Sequence, residues 1–133
     1  MIAAVADTHA VIWYLAGDGR LSHRAREIID SALADADAIA ISSITLIEMV
    51  YLIEKGRISA QQFTQLASEI RKGESVFVES PVDLHIARAL TRVDAAQVPD
   101  MPDRIIAATA LRHSVPLISR DGKIRLSSVL TVW

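Results

Sequence analysis

Ile2-Ala3-Ala4-Val5-Ala6-Asp7 is an unbroken apolar run closed by an acid. A segment apolar at every position, rather than at every second one, reads as a strand buried on both faces, and such strands belong to parallel sheets covered by helices. Apolar runs recur at residues 38–41, 75–78 and 116–119, with a last short strand expected at 129–132. Between them the sequence turns helical. Helices are expected over 8–16, about 22–36 with Ser22 as N-cap, and from Ser42 or Ser43 to about Lys55, where Gly56 stops the third. Others are expected over about 59–72, stopped by Gly73, over 82–91 after Pro81, and over about 102–113. Gly17 and Gly19 separate the first two helices, residues 92–101 are the longest irregular stretch, and 123–126 reads as a turn or short helix. Strands alternating with helices predict a three-layer α/β/α sandwich around a mostly parallel sheet of four to five strands. Without repeats, low-complexity tracts or a linker, residues 1–133 read as a single domain.

Composition narrows the class. There is no cysteine, so disulfides and thiolate metal sites are excluded. The net charge of −2 argues against a protein that coats nucleic acid, though not against a nuclease with a local cationic patch. The apolar start lacks a basic residue and is cut at Asp7, so it does not read as a signal peptide, and no run reaches the length of a membrane span. The expected location is the cytoplasm. A hydrophobic fraction of 51% is high for a small domain and leaves room for an apolar patch covered by a partner.

In open parallel sheets, ligands bind beyond the carboxyl ends of the strands. Asp7 follows the first strand directly, and Asp121 lies two residues past the strand at 116–119. Each also suits a helix cap or a turn. Asp103 opens the periodic helix that includes Ile105-Ile106-Ala107-Ala108, where Asp100-Met101-Pro102-Asp103 has the form of a capping segment; Asp100 is assigned to the cap. Glu48 stands apart. Its neighbours on the helix face are Ile44, Tyr51 and Leu52, and a helix apolar nearly all round is expected to be buried. A buried carboxylate needs a cation, either a metal ion or an Arg or Lys side chain.

If the four acids meet, they repel one another and raise one another's pKa, and a divalent cation removes the conflict. All-oxygen ligands favour Mg²⁺ or Mn²⁺ over Zn²⁺. Such a site is suited to phosphodiester hydrolysis. Spacing alone leaves open whether the four converge.

The remaining candidates have ordinary alternatives. His9 reads as a substrate contact or a helix-start residue. His23, His85 and His113 show no ligand spacing. Trp13, Tyr14 and Leu15 read as an interface stripe rather than core, with core as the alternative. Arg104 and Arg120, each beside an acid, read as structural pairs, with a phosphate contact as the alternative for Arg120. Arg24 and Arg26 read as a solvated helix face.

Four segments carry a resemblance. Val5-Ala6-Asp7-Thr8-His9 with Ile12-Trp13, residues 41–49 around Glu48, Pro102-Asp103-Arg104 with the helix that follows, and Leu117-Ile118-Ser119-Arg120-Asp121 resemble, in order, the motifs of PIN-domain ribonucleases. The match spans nearly the whole chain, and the length resembles VapC-type toxins of toxin–antitoxin pairs. The resemblance implies a PIN fold and an Mg²⁺ (or Mn²⁺) site formed by Asp7, Glu48, Asp103 and Asp121. It also implies orienting hydroxyls at Thr8 and Ser119, RNA as substrate, a homodimer, and a cognate antitoxin that covers the groove. The rivals are a metal-dependent phosphatase-like α/β domain and a non-catalytic partner-binding module. The first is disfavoured because His9 stands where a haloacid-dehalogenase-type enzyme has its second Asp.

Overall fold

The computed structural model describes residues 1–125 and 127–133. Its strands are β1 (Ile2–Ala6), β2 (Ala38–Ser42), β3 (Phe77–Ser80), β4 (Leu117–Ile118) and β5 (Thr131–Val132). Its helices are α1 (Thr8–Ala16), α2 (His23–Ala34), α3 (Ser43–Glu54), α4 (Ala60–Lys72), α5 (Leu84–Leu90), α6 (Met101–His113) and α7 (Gly122–Arg125). The strands form one sheet in the order β3-β2-β1-β4-β5. All pairings are parallel.

Both faces of the central strands are buried, which is why β1 and β4 are apolar throughout, whereas the edge strand β3 exposes Val78 and Glu79. Ala4, Ala6, Ile39, Ile41 and Ile118 pack against Val11, Trp13, Ile29, Met49 and Leu66 from α1 to α4. Val5, Ala40 and Leu117, the intervening residues, pack against Ile86, Ile106, Ala107, Ala110 and Ile124 from α5 to α7. This is the α/β/α sandwich expected. Small side chains on β1 and α6 let helix and strand approach closely, so enlarging one would force the two apart. Strands β2 and β3 lie on one side of β1, and β4 and β5 on the other. The chain reverses its direction of growth there, which opens a crevice beyond the carboxyl ends of β1 and β4.

Several boundaries differ from expectation for local reasons. β3 starts at Phe77 rather than residue 75, because the Ser75 hydroxyl accepts the Phe77 amide at 3.0 Å and holds a turn there. α5 starts at Leu84, because the Asp83 carboxylate caps the amides of His85 and Ile86. The turn or short helix expected over 123–126 is α7, and its last position, Leu126, lies outside the described residues.

α3 is the larger correction. It is not buried all round: Thr45 and Met49 are buried, whereas Ile47 and Tyr51 are 61% and 57% exposed. The helix packs against α1, α4 and α6 and leaves one apolar face open. Trp13 is corrected in the opposite sense. It is 5% exposed and belongs to the core, with Tyr14 and Leu15 packed beside it, so this stripe is not an open interface. Among the described residues no helix is long and apolar enough to cross a membrane.

Candidate active site

A cavity of about 520 Å³ lies at the carboxyl edge of the sheet, and Asp7, Glu48, Asp103 and Asp121 all line it. Asp100 lines it as well, together with His9, Trp13, Arg20, Arg120 and Trp133.

Each acid is delivered by a local rule. Asp7 ends β1 and is the N-cap of α1, its carboxylate accepting the Ala10 amide at 2.9 Å. Asp121 follows β4 and accepts the amides of Lys123 and Ile124 at 2.9 and 3.0 Å. Asp100 is the N-cap of α6 and accepts the Asp103 amide, which places Asp103 in the first turn of that helix. Capping and lining the cavity are therefore compatible. The N-terminal ends of α1 and α6 also carry partial positive charge, which tolerates the nearby carboxylates.

Glu48 reaches the cavity from within α3, and its partner is not a cationic side chain. The Thr8 hydroxyl donates to its Oε1 at 2.6 Å and lies 3.1 Å from the Thr45 hydroxyl. Ser119 is fully buried, and its Oγ accepts the Asp121 amide at 3.1 Å. Thr8 and Ser119 thus tie Glu48 and the Asp121 backbone in place. The buried hydroxyls Ser42 and Ser80 end β2 and β3, so the carboxyl edge is polar from β3 to β4 while the central strands below it are apolar.

The electrostatics follow from crowding. Asp103 is pushed up to about 7, first by burial and then by the charges of Asp100, Asp121, Glu48 and Asp7. Glu48 is raised by burial, partly offset by the Thr8 hydrogen bond. Asp7 is raised by burial, against the lowering effect of the Ser119 hydroxyl and the Ala10 amide. Asp103 thus holds its proton to a higher pH than an ordinary aspartate does.

The donor set fits a hard divalent ion: all oxygen, no thiolate, no paired imidazoles. The Asp103 carboxylate accepts no hydrogen bond among the described residues, and Glu48 and Asp121 each accept through one oxygen only. Among the described residues, no three acidic or histidine side chains are already gathered tightly enough to hold a metal ion.

The other lining residues were not assembled from the sequence. Trp13 is their hub. The guanidinium carbons of Arg120 and Arg20 lie 4.5 and 5.0 Å from its ring centroid, and the rings of His9 and Trp133 lie at 5.4 and 5.9 Å. Arg20 also binds Asp18 at 2.8 Å, holding that carboxyl down to about 2. Arg104, by contrast, is structural: it donates to the carbonyls of Leu90 and Val93 and pins the segment before α6. His23 pairs with Glu27, and His113 meets Ser80, both outside the cavity.

A parallel sheet with this strand order and an acidic crevice at its carboxyl edge is the architecture of the PIN domain. The PIN-domain profile matches residues 4–127, and the chain belongs to that family. It is similar to Ribonuclease VapC22 of Mycobacterium tuberculosis, at 27% identity over an alignment that spans all of both chains. Among solved structures it resembles a toxin–antitoxin complex from Klebsiella pneumoniae, at 26% identity and a TM-score of 0.64, with 98% of this chain and 97% of that one covered. It also resembles DNA-bound VapBC from Salmonella typhimurium, at 19% identity and a TM-score of 0.69, with 100% and 98% covered. The latter likeness is one of fold.

Proposed function

We propose that this protein is a divalent-metal-dependent endoribonuclease and the toxin of a toxin–antitoxin pair, with Asp7, Glu48, Asp103 and Asp121 as its catalytic and metal-holding carboxylates. The observation that carries the reading is the convergence of these four acids, from distant parts of the chain, on one cavity. Family membership and the likeness to a named ribonuclease support the reaction class.

Mg²⁺, with Mn²⁺ as substitute, would supply the positive charge that lowers the pKa of a water and steadies charge developing on a phosphoryl oxygen. The chain's own contribution is preorganisation. Thr8 keeps its proton on Oγ1 and donates it toward Glu48, which fixes how that carboxylate presents its free oxygen. Ser119 fixes the backbone of Asp121, the Ala10 amide fixes the Asp7 carboxylate, and the Asp100 cap fixes the backbone, though not the carboxylate, of Asp103. Asp103 accepts nothing from the protein and is the most readily repositioned donor.

RNA is the proposed substrate. The proposed protein partners are a cognate antitoxin and a second copy of the chain. The open apolar face of α3, with Ile47, Val50 and Tyr51 exposed, supports a protein contact. The cytoplasm is the proposed location.

The test is calorimetric titration of Mg²⁺ into the wild type and Asp7→Asn, alongside cleavage of total RNA with and without chelator. Weakened metal binding and chelator-sensitive cleavage are expected. Unchanged affinity in the variant, or no cleavage by the wild type, ends the proposal.

A further inference from the structure

Among the described residues, Arg120 borders five carboxylates and pairs with none of them. It stands between buried Ser119 and Asp121, so a side chain at this position is well placed for an ion pair with an acid. Instead its guanidinium lies over the Trp13 indole, 4.5 Å from the ring centroid. Arg20 is the informative contrast. It shares the same ring, at 5.0 Å, but its Nε and Nη2 are bound to Asp18.

A guanidinium stacked on an aromatic face is held by its π surface, and its N–H donors point outward in the plane of the group. Arg120 therefore combines support from the Trp13 ring with donors that bind nothing else among the described residues. The cavity also has an electrostatic problem: its acids and the net charge of −2 both repel a polyanion. An RNA strand needs a cationic foothold at the rim, and guanidinium is the group that matches a phosphate with paired donors. Trp13 is too buried, at 5% exposure, to stack a base itself, so it acts through the arginine it supports.

We infer that Arg120 binds a phosphate of the RNA strand entering the acidic cavity, and that Trp13 is the positioning residue that holds it there. This rests on the ribonuclease reading above. Trp133 and His9, packed on the same indole, keep Trp13 in register.

The experiment uses the full chain and a 5′-labelled single-stranded RNA oligonucleotide. Anisotropy measures binding on an Asp103→Asn background with Mg²⁺, and steady-state cleavage is measured on the Asp103 protein. Arg120→Ala is expected to weaken binding and raise KM by about tenfold, with kcat changed by no more than about threefold, the loss of one charge-assisted contact. The slope of log affinity against log salt should become shallower by about 0.7, one phosphate contact to a single strand. Arg120→Lys should restore the slope but not the full affinity, because lysine lacks the stacked fork. Trp13→Phe should weaken binding in the Arg120 protein and add nothing to Arg120→Ala, since the two act as a unit. Arg24→Ala, an equal charge change on α2 away from the cavity, should leave all three quantities unchanged. Wild-type affinity and salt slope in Arg120→Ala overturn the inference, as does a fall in kcat at constant KM. If the wild type neither binds nor cuts RNA, the ribonuclease reading itself has failed.

Discussion

The cavity is lined by two kinds of side chain, and they are anchored differently. Three of its acids are placed by something close in sequence, a strand that has just ended or a helix about to begin, whereas Glu48 is held by the Thr8 hydroxyl of α1. Its cations are held by one indole that collects contacts from residues 9, 20, 120 and 133. The acidic part thus has a separate anchor for each member and is crowded in its charge, whereas the aromatic part depends on a single side chain. Substitution should therefore damage the first through chemistry and the second through geometry.

The sharpest way to separate the two is to neutralise one acid. Asp7→Asn and Asp103→Asn should each lower RNA cleavage by about 10³-fold or more while circular dichroism stays native, as expected when a ligand of a reacting site is lost but its cap survives. Activity within tenfold of wild type would remove the acids from the mechanism. The arginine side should respond an order of magnitude or more below that, in KM rather than kcat, as set out for Arg120 above.

Next in size is the hydroxyl support. Thr8→Val removes the donor to Glu48 and leaves both that carboxylate and the Thr45 hydroxyl short of a partner. It should cost about 1–3 kcal/mol in denaturant unfolding. Thr8→Ser, which keeps the hydroxyl, should recover most of it; equal losses in both variants would assign the effect to the methyl group.

The smallest expected effect is on pH dependence. Asp103 is raised in the folded chain to about 7 from an ordinary value of 3.8, so the folded state holds a proton that the unfolded state has released. Metal-free protein should therefore lose stability as pH rises from about 4 through 7, the opposite of a salt-bridged carboxylate. Because Asp103 is only half-buried, solvent screening reduces the effect to about 1–2 kcal/mol. Urea midpoints across that range should fall for the wild type and stay flatter for Asp103→Asn. Saturating Mg²⁺ should flatten the wild-type curve too, if the cation replaces the proton.

The same contrast explains what was legible from the sequence. Strand ends, caps and helix starts are written within a few residues, so the sheet, the layers and the positions of Asp7, Asp103 and Asp121 could be read directly. Glu48 was identified by the oddity of an acid in an apolar helix, although the reason offered was incomplete: that helix shows an apolar face to solvent, and Thr8, not a cationic side chain, answers the carboxylate. Asp100 was assigned to a cap, which it is, and its place on the cavity went unread. Within the Trp13 cluster only His9, one helical turn earlier on α1, is joined to residue 13 by local spacing; residues 20, 120 and 133 are not. The one available hint was the position of Arg120 beside Asp121. β3 was displaced because a single serine hydroxyl, at residue 75, outweighed strand propensity.

The strand order has a consequence in time. β1 precedes β4 in the chain, and the cavity beside it stays open until β4 pairs with it and Asp121 follows, more than a hundred positions later. Partners that far apart meet late in any folding route. A nascent chain therefore carries only part of the acidic cluster until Asp121 has been made, and whatever the completed pocket does is withheld until then.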